Sequence, residues 1–179
     1  MTCIVGIAQD GKVWIGADSA SADDWCVRQT KLPKVFKTGN FVVGYTTSFR
    51  MGQILQHHLS VRSQYEDEKD DQFMVRAFAE AVRECLKEHG FAKIENNVEK
   101  GGTFLVGYRG HIYCMDDDFH VNEHADGYDT CGCGYPFALG AMMALQQELP
   151  EARIMHALEI AAHFSGFVKP PFHIEILEK

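Results

Sequence analysis

Thr2 follows the initiator methionine, and threonine is small enough for that methionine to be cleaved away. Cleavage leaves a hydroxyl and a free α-amine on one residue. An α-amine titrates at about 7.7–8.0, against about 10.4 for a lysine side chain. It can therefore take the proton of its own hydroxyl, most simply through a water, and make that oxygen a nucleophile. Two other residues bear on the amine by spacing. Gly16-Ala17-Asp18-Ser19 closes the second of two apolar runs, and Lys34 opens a third within Leu32-Pro33-Lys34-Val35. A hairpin starting at Thr2 returns the end of the second run to Thr2, where Asp18 and Lys34 can meet. The carboxylate would hold the ammonium, and the ammonium would depress the amine's pKa. The alternative for such a couple is a surface ion pair of little energetic value.

His120, His124, Cys131 and Cys133 form a second group with ligand chemistry, suited in number to a tetrahedral zinc. The preceding Asp116-Asp117-Asp118-Phe119 suggests a turn and strand, where two histidines four apart share a face but stand too far apart to chelate easily. Cys-Gly-Cys is also unlike a structural zinc pair, and surface histidines are the alternative. Gly6, Gly11 and Gly16 make no phosphate-binding fingerprint, and no Walker or Rossmann pattern occurs. Phe73, Phe78, Phe119 and Phe164 read as core, Cys85 as helix packing, and His57 and His58 as solvated.

The elements that must position these groups follow from hydrophobic period and turn chemistry. Residues 2–8 and 13–17 are apolar and β-branched, and Asp10-Gly11 between them predicts a hairpin. Residues 34–36 and 41–45 form a second pair across Thr38-Gly39-Asn40. The four segments together suggest one buried antiparallel sheet. Met51, Ile54, Leu55 and Leu59 predict a helix over 50–65. Phe73, Ala77, Ala81, Val82, Cys85 and Leu86 predict another from about residue 70 to a Gly90 cap. The acidic run over 66–71 reads as its solvated start. Strands follow over 103–108 and 112–115, with a short one through 120–124. Helices over 136–148 and 151–165, broken at Leu149-Pro150, precede a last strand at 173–177. This order suits one α+β domain over 1–179, a four-layer αββα sandwich with two antiparallel sheets between helix pairs.

Length and composition bound the alternatives. A chain of 179 residues is one ordinary domain, and 46% hydrophobic with 23% charged residues is globular. No apolar run reaches 18 residues, and the N-terminus lacks the basic start and apolar core of a signal peptide, so a cytoplasmic protein without a membrane span is expected. A net charge of −8 argues against the basic stripe that nucleic acid requires. The six cysteines are scattered and do not read as a disulfide framework.

Thr2, the Asp-Gly turn, Gly16-Ala17-Asp18-Ser19 and Pro33-Lys34-Val35 resemble the start of proteasome β subunits and of the bacterial peptidase HslV, which are N-terminal-nucleophile (Ntn) hydrolases. The separations from Thr2 to Asp18 and to Lys34 match that family without a gap. Gly132-Cys133-Gly134-Tyr135-Pro136-Phe137-Ala138 resembles its glycine-serine-glycine turn into a helix. Residues 103–108 resemble its central strand, and Ser165-Gly166 the turn after its last long helix. The similarity spans nearly the whole chain, and the compact length is closer to HslV.

The resemblance implies Thr2 as nucleophile and Asp18 with Lys34 as the couple that sets its ionisation. It implies the Ser48 backbone N–H as oxyanion donor, and Cys133 and Ser165 as the groups ordering the α-amine and its water. Thr46 and Arg50 would line the pocket for the residue before the scissile bond. No cofactor is required for the chemistry, but a Na or Mg ion on the backbone carbonyls of Glu159, Ala162 and Ser165 is implied. The sequence departs from the family in three places: Thr46-Thr47-Ser48-Phe49-Arg50 replaces a glycine-rich loop, Cys133 replaces a serine and donates more weakly, and Ala162 replaces an aspartate. The implied protein is a threonine-type peptidase in a homo-oligomeric ring (hexamer, heptamer or stacked double ring). It would take peptides or unfolded proteins, fed by an AAA+ unfoldase ATPase, with no nucleic-acid or membrane partner. A catalytically silent ring scaffold and a small-amide Ntn hydrolase are the alternatives.

Overall fold

The computed structural model describes residues 1–22 and 25–178. Strands β1 (Cys3–Gln9) and β2 (Lys12–Ala17) form the expected hairpin. Its turn residues Asp10 and Gly11 lie at φ 50° and 76°, the left-handed pair that a two-residue turn needs to match strand twist. A short ribbon of β3 (Ala20–Ala22) and β4 (Val27–Gln29) follows, then the hairpin of β5 (Val35–Thr38) and β6 (Phe41–Tyr45). Next come α1 (Phe49–His58) and α2 (Asp70–Phe73), the latter continuing through a π-helical stretch (Met74–Phe78) into α3 (Ala79–Glu88). Strands β7 (Lys93–Glu95), β8 (Val98–Lys100), β9 (Phe104–Tyr108), β10 (His111–Met115), β11 (Val121–Glu123) and β12 (Tyr128–Gly132) precede α4 (Tyr135–Ala144), α5 (Pro150–Phe164) and β13 (His173–Leu177).

The strands form two main antiparallel sheets, ordered β12-β1-β2-β13 and β11-β10-β9-β6-β5. The four N-terminal segments therefore do not share one sheet, contrary to expectation. Each hairpin is apolar on both faces, so the two stack instead of pairing edge to edge. Ile4, Val13, Ile15, Val35, Val42, Leu105 and Ile112 fill the space between the sheets. Gly44 permits the close approach: a Cβ there would stand 2.6 Å from both Ile4 and Ile15. The outer faces are covered as predicted. Cys3, Val5 and Ile7 pack under α4 and α5, and Phe41, Val43, Phe104 and Val106 pack under α1 to α3. This is the αββα sandwich, and it buries both faces of both sheets.

Several local expectations change. The first helix stops at His58, and Leu59 is extended at ψ 122°. The residues after it are tied down by polar groups: Arg62 grips Glu68 with two bonds of 2.7 and 2.6 Å, and Gln64 bonds Asp70 and the Tyr108 hydroxyl at 2.7 and 2.9 Å. The ribbons β3–β4 and β7–β8 and the strand β12 have no counterpart in the sequence reading. Phe164 is not core but 64% exposed, stacked on Phe137 with ring centroids 5.4 Å apart. No helix among the described residues is long and apolar enough to cross a membrane.

Candidate active site

Thr2 is buried at the start of β1, where three parts of the chain converge. Register sets Cys3 opposite Gly132 on β12 and Ile4 opposite Ala17 on β2, so Asp18 follows directly beside Cys3. The Asp18 N–H donates to the Cys3 carbonyl at 3.2 Å, and the Cys3 N–H donates to Asp18 Oδ1 at 3.0 Å. Oδ2 accepts from the backbone of Ala20 at 2.9 Å and of Lys169 at 3.3 Å.

Lys34 arrives from the other sheet. Its carbonyl accepts from the Tyr45 N–H at 3.0 Å, which ties it to the end of β6. Nζ donates to Asp18 Oδ1 at 2.8 Å and to the Met1 carbonyl at 3.3 Å. Both side chains of the pair are 0% exposed. Burial lowers the Lys34 pKa, and the Asp18 carboxylate opposes that shift. The predicted couple thus exists as a buried pair bridging the sheets, not as a surface contact.

Cys133 completes the third side. Its Sγ accepts from the Thr2 N–H at 3.3 Å and lies 3.4 Å from the Thr2 carbonyl oxygen, which also accepts from the Gly134 N–H at 3.2 Å. Gly132 sits at φ 92°, and a Cβ there would run into the Thr2 carbonyl. β12 and its glycine turn therefore determine where Thr2 lies.

A cavity of about 340 Å³ opens beside Thr2, lined by Met1, Ala22, Thr46, Ser48 and Arg50 among others. Ser48 caps α1, its Oγ accepting from the Arg50 N–H at 3.1 Å. The Ser48 N–H donates to the Thr46 carbonyl at 2.6 Å, closing a three-residue turn around Thr47. Ser165 caps the other end of the site's support. Its N–H donates to the Ala161 carbonyl at 2.9 Å, its Oγ accepts from Phe167, and its carbonyl accepts from Val168. None of the hydrogen bonds among the described residues joins Ser165 to Thr2.

The three carbonyls implied for a cation are unequal. Glu159 lies inside α5, whereas Ala162 is in the last turn, where carbonyls lack helical partners. Ser165 keeps one lone pair beyond its bond to Val168. The zinc alternative is not assembled. His120 pairs with Asp116 at 3.3 Å, His124 faces Asp129 at 3.2 Å, Cys131 points between the sheets, and Cys133 lies at Thr2. Among the described residues no three His, Cys, Asp or Glu side chains converge on a metal position.

Asp129 itself is buried on β12. Oδ1 accepts from the Thr130 N–H at 2.7 Å, while Oδ2 carries no hydrogen bond, since His124 stands within ion-pair distance but outside hydrogen-bond geometry. Burial raises the Asp129 pKa. The neighbouring Cys114 thiol is pushed up to about 12 by burial and by that carboxylate.

Sequence reasoning missed the backbone donors of Cys3, Ala20 and Lys169, and the Thr47 turn. Backbone donors carry no side-chain signature. The glycines flanking Cys133 signalled the turn after β12, but no glycine marks the turn at Thr47.

No family model matches the sequence, and no curated protein sequence matches it. Solved structures do. The BPH of Thiobacillus denitrificans superposes with a TM-score of 0.82 at 22% identity, over 99% of this chain and 98% of that one. The same protein in complex with epoxomicin gives 0.80 at 21%, with the same coverage. HslV from Trypanosoma brucei gives 0.72 at 20%, over 99% of this chain and 100% of that one. The likeness is one of architecture, and it covers every layer described above. The chain has the αββα fold shared by these BPH and HslV subunits.

Proposed function

We propose that the chain is a threonine-type peptidase subunit that acts through Thr2 once Met1 has been removed. One observation carries this reading: a fully buried Lys34–Asp18 pair, with Nζ bonded to the carbonyl of the Met1–Thr2 peptide. A buried ion pair is a weak source of stability, since desolvation offsets its attraction. A lysine held here by carboxylate and backbone is better explained by chemistry at Thr2.

Removal of Met1 takes away one acceptor of Lys34 and leaves an α-amine facing Cys133 Sγ. The adjacent cation lowers the amine's pKa, so the amine is free to accept a proton near neutrality. As Thr2 Oγ attacks a peptide carbonyl, its proton passes to the amine, and the Ser48 N–H meets the developing oxyanion. Collapse breaks the C–N bond, the α-ammonium protonates the leaving amine, and an ester to Oγ remains. Water, deprotonated by the same amine, cleaves the ester and restores Thr2. Thr46 and Arg50 line the entry for the substrate side chain. An ion on the Ala162 and Ser165 carbonyls, with Glu159, would brace the turn leading to Lys169, not take part in bond-making.

Homo-oligomerisation belongs to the same proposal. Tyr135, Phe137, Leu139, Met143, Leu149 and Phe164 are exposed on or between α4 and α5, an apolar exterior that subunit contact would bury. A ring, a cytoplasmic setting, unfolded-protein substrates and an AAA+ partner follow from the family resemblance. The rival reading, a silent ring scaffold, draws support from one fact: the Ser48 N–H is already occupied. Intact mass of the N-terminus, with peptide turnover by parent and Thr2→Ala, separates the two. Turnover lost in Thr2→Ala while assembly persists supports the peptidase; equal turnover removes it. Epoxomicin, bound by the BPH of T. denitrificans, is a second probe, expected to add its mass to the parent and not to Thr2→Ala.

A further inference from the structure

We infer that Thr47 is a positioning residue whose side chain latches the oxyanion donor away from the substrate; this rests on the reading of Ser48 above. The turn over residues 46–48 is closed by the Ser48 N–H donating to the Thr46 carbonyl at 2.6 Å, a bond between residues two apart. Most such turns hold their central residue at negative φ, but Thr47 lies at 60°, the rarer and strained form. Threonine is β-branched, and a β-branched residue in that region is a true outlier that its surroundings must hold in place.

The holding contacts are visible. Thr47 Oγ1 accepts from the Thr103 N–H at 3.0 Å, at the entry to β9, and lies 3.3 Å from Thr46 Oγ1. The Thr46 N–H donates to the Thr103 carbonyl at 3.1 Å, so residue 103 grips the turn from both sides. Gly102 gives the threonine room: a Cβ at 102 would stand 3.0 Å from Thr47 Cβ. A hydroxyl clamp thus keeps a strained turn shut. While it is shut, the N–H of Ser48, a residue lining the cavity beside Thr2, is spent on its own chain. Rotating the Thr47–Ser48 peptide frees that N–H and relieves the strain. The oxyanion that develops on the substrate carbonyl, a stronger acceptor than the Thr46 carbonyl, is what opens the latch.

Thr47 is exposed, so substitutions there need not disturb the core. Thr47→Val keeps the branched shape and loses the clamp, whereas Thr47→Ser keeps the hydroxyl. Two measurements apply: amide hydrogen exchange resolved to Ser48, and kcat with KM on a peptide substrate. In Thr47→Val we expect Ser48 to exchange at least about tenfold faster, and kcat to rise about tenfold with KM within about twofold, because only transition-state binding improves. Thr47→Ser should follow the parent in both. Faster exchange with a lower kcat would show that the turn organises the site instead of restraining it, and would overturn the latch. So would unchanged exchange in Thr47→Val. If no form hydrolyses peptides, the peptidase reading fails, and Ser48 exchange alone then decides the latch by the same criterion.

Discussion

Asp18 and Asp129 are both buried carboxylates belonging to the four-stranded sheet, one just past β2 and one on β12. Asp18 receives four donors: Lys34 Nζ and the backbone N–H groups of Cys3, Ala20 and Lys169. Asp129 accepts from one backbone N–H, that of Thr130, with the Cys114 thiol as its weak side-chain donor, and its Oδ2 carries no hydrogen bond. The first is a charge solvated by the protein; the second is a charge merely enclosed. Where a buried charge is fully satisfied, the fold has been arranged around it, and here the arrangement lies against Thr2. The enclosed carboxylate raises its own pKa instead, as desolvation alone predicts.

The largest expected effect breaks the satisfied site. Asp18→Ala strands the Lys34 ammonium with no anion in a wholly buried position, and should cost about 3–5 kcal/mol of stability, read by urea unfolding. A loss below 1 kcal/mol would mean that water reaches Lys34 and that the contrast with Asp129 is false.

Lys34→Ala should be milder in stability and severe in function. Asp18 keeps three backbone donors, so the loss should be roughly 1–3 kcal/mol, the scale of a hydrogen bond to a charged group. Peptide turnover should nevertheless fall by at least about a hundredfold, the scale of proton-transfer catalysis. Lys34→Arg should not rescue it, because a planar guanidinium cannot occupy the ammonium's place between Asp18 and the start of β1. Full recovery with arginine would reduce Lys34 to a generic charge.

At Asp129 the sign reverses. Its pKa is raised in the folded state, so its contribution to stability is complete below the unfolded value of about 3.9 and is lost as pH rises through the folded pKa. At neutral pH the carboxylate is therefore a cost. Asp129→Asn keeps an acceptor for Thr130 and offers an N–H₂ toward His124, and should stabilise the protein by about 1 kcal/mol at pH 7, the scale of one buried hydrogen bond. The gain should disappear as the pH approaches 4. A destabilised variant at pH 7 would show that the His124 contact is a net attraction.

The smallest effect concerns Arg50, exposed on the cavity rim. Arg50→Ala should change stability by less than about 0.5 kcal/mol, as surface substitutions do. It should also erase a preference of about fivefold or more for Glu over Arg in the substrate side chain before the cleaved bond, since a hydrogen bond to a charged group reaches that scale. Indifference to that side chain in the parent would leave Arg50 without a role in selection.

The pattern of apolar runs was enough to call for two sheets and two helix pairs, and Asp10-Gly11 was enough for the first hairpin. Asp18 beside Thr2 was legible because hairpin geometry alone returns the end of β2 to the start of β1; Lys34, which comes from the other sheet, was matched only through its spacing and the family resemblance. The pairing of whole hairpins was not legible. Apolar periodicity does not distinguish stacking from edge pairing, and stacking rests on contacts between distant segments, such as Ile4 and Ile15 over Gly44. The first helix ended early because Arg62 and Gln64 found partners at Glu68, Asp70 and Tyr108, contacts that periodicity cannot register. β12 was unreadable for a similar reason: a five-residue strand with Asp129 and Gly132 lacks a clean alternation, yet it sets Cys133 against Thr2. Residue identity and local spacing thus determined which chemical groups this protein has and which ends of its strands they occupy. Whether the Lys34–Asp18 pair is buried or exposed, whether Asp129 is satisfied, and where the Ser48 N–H points were decided by the tertiary structure. Each of those depends on backbone donors and acceptors from distant segments, which every residue carries alike and no sequence pattern distinguishes.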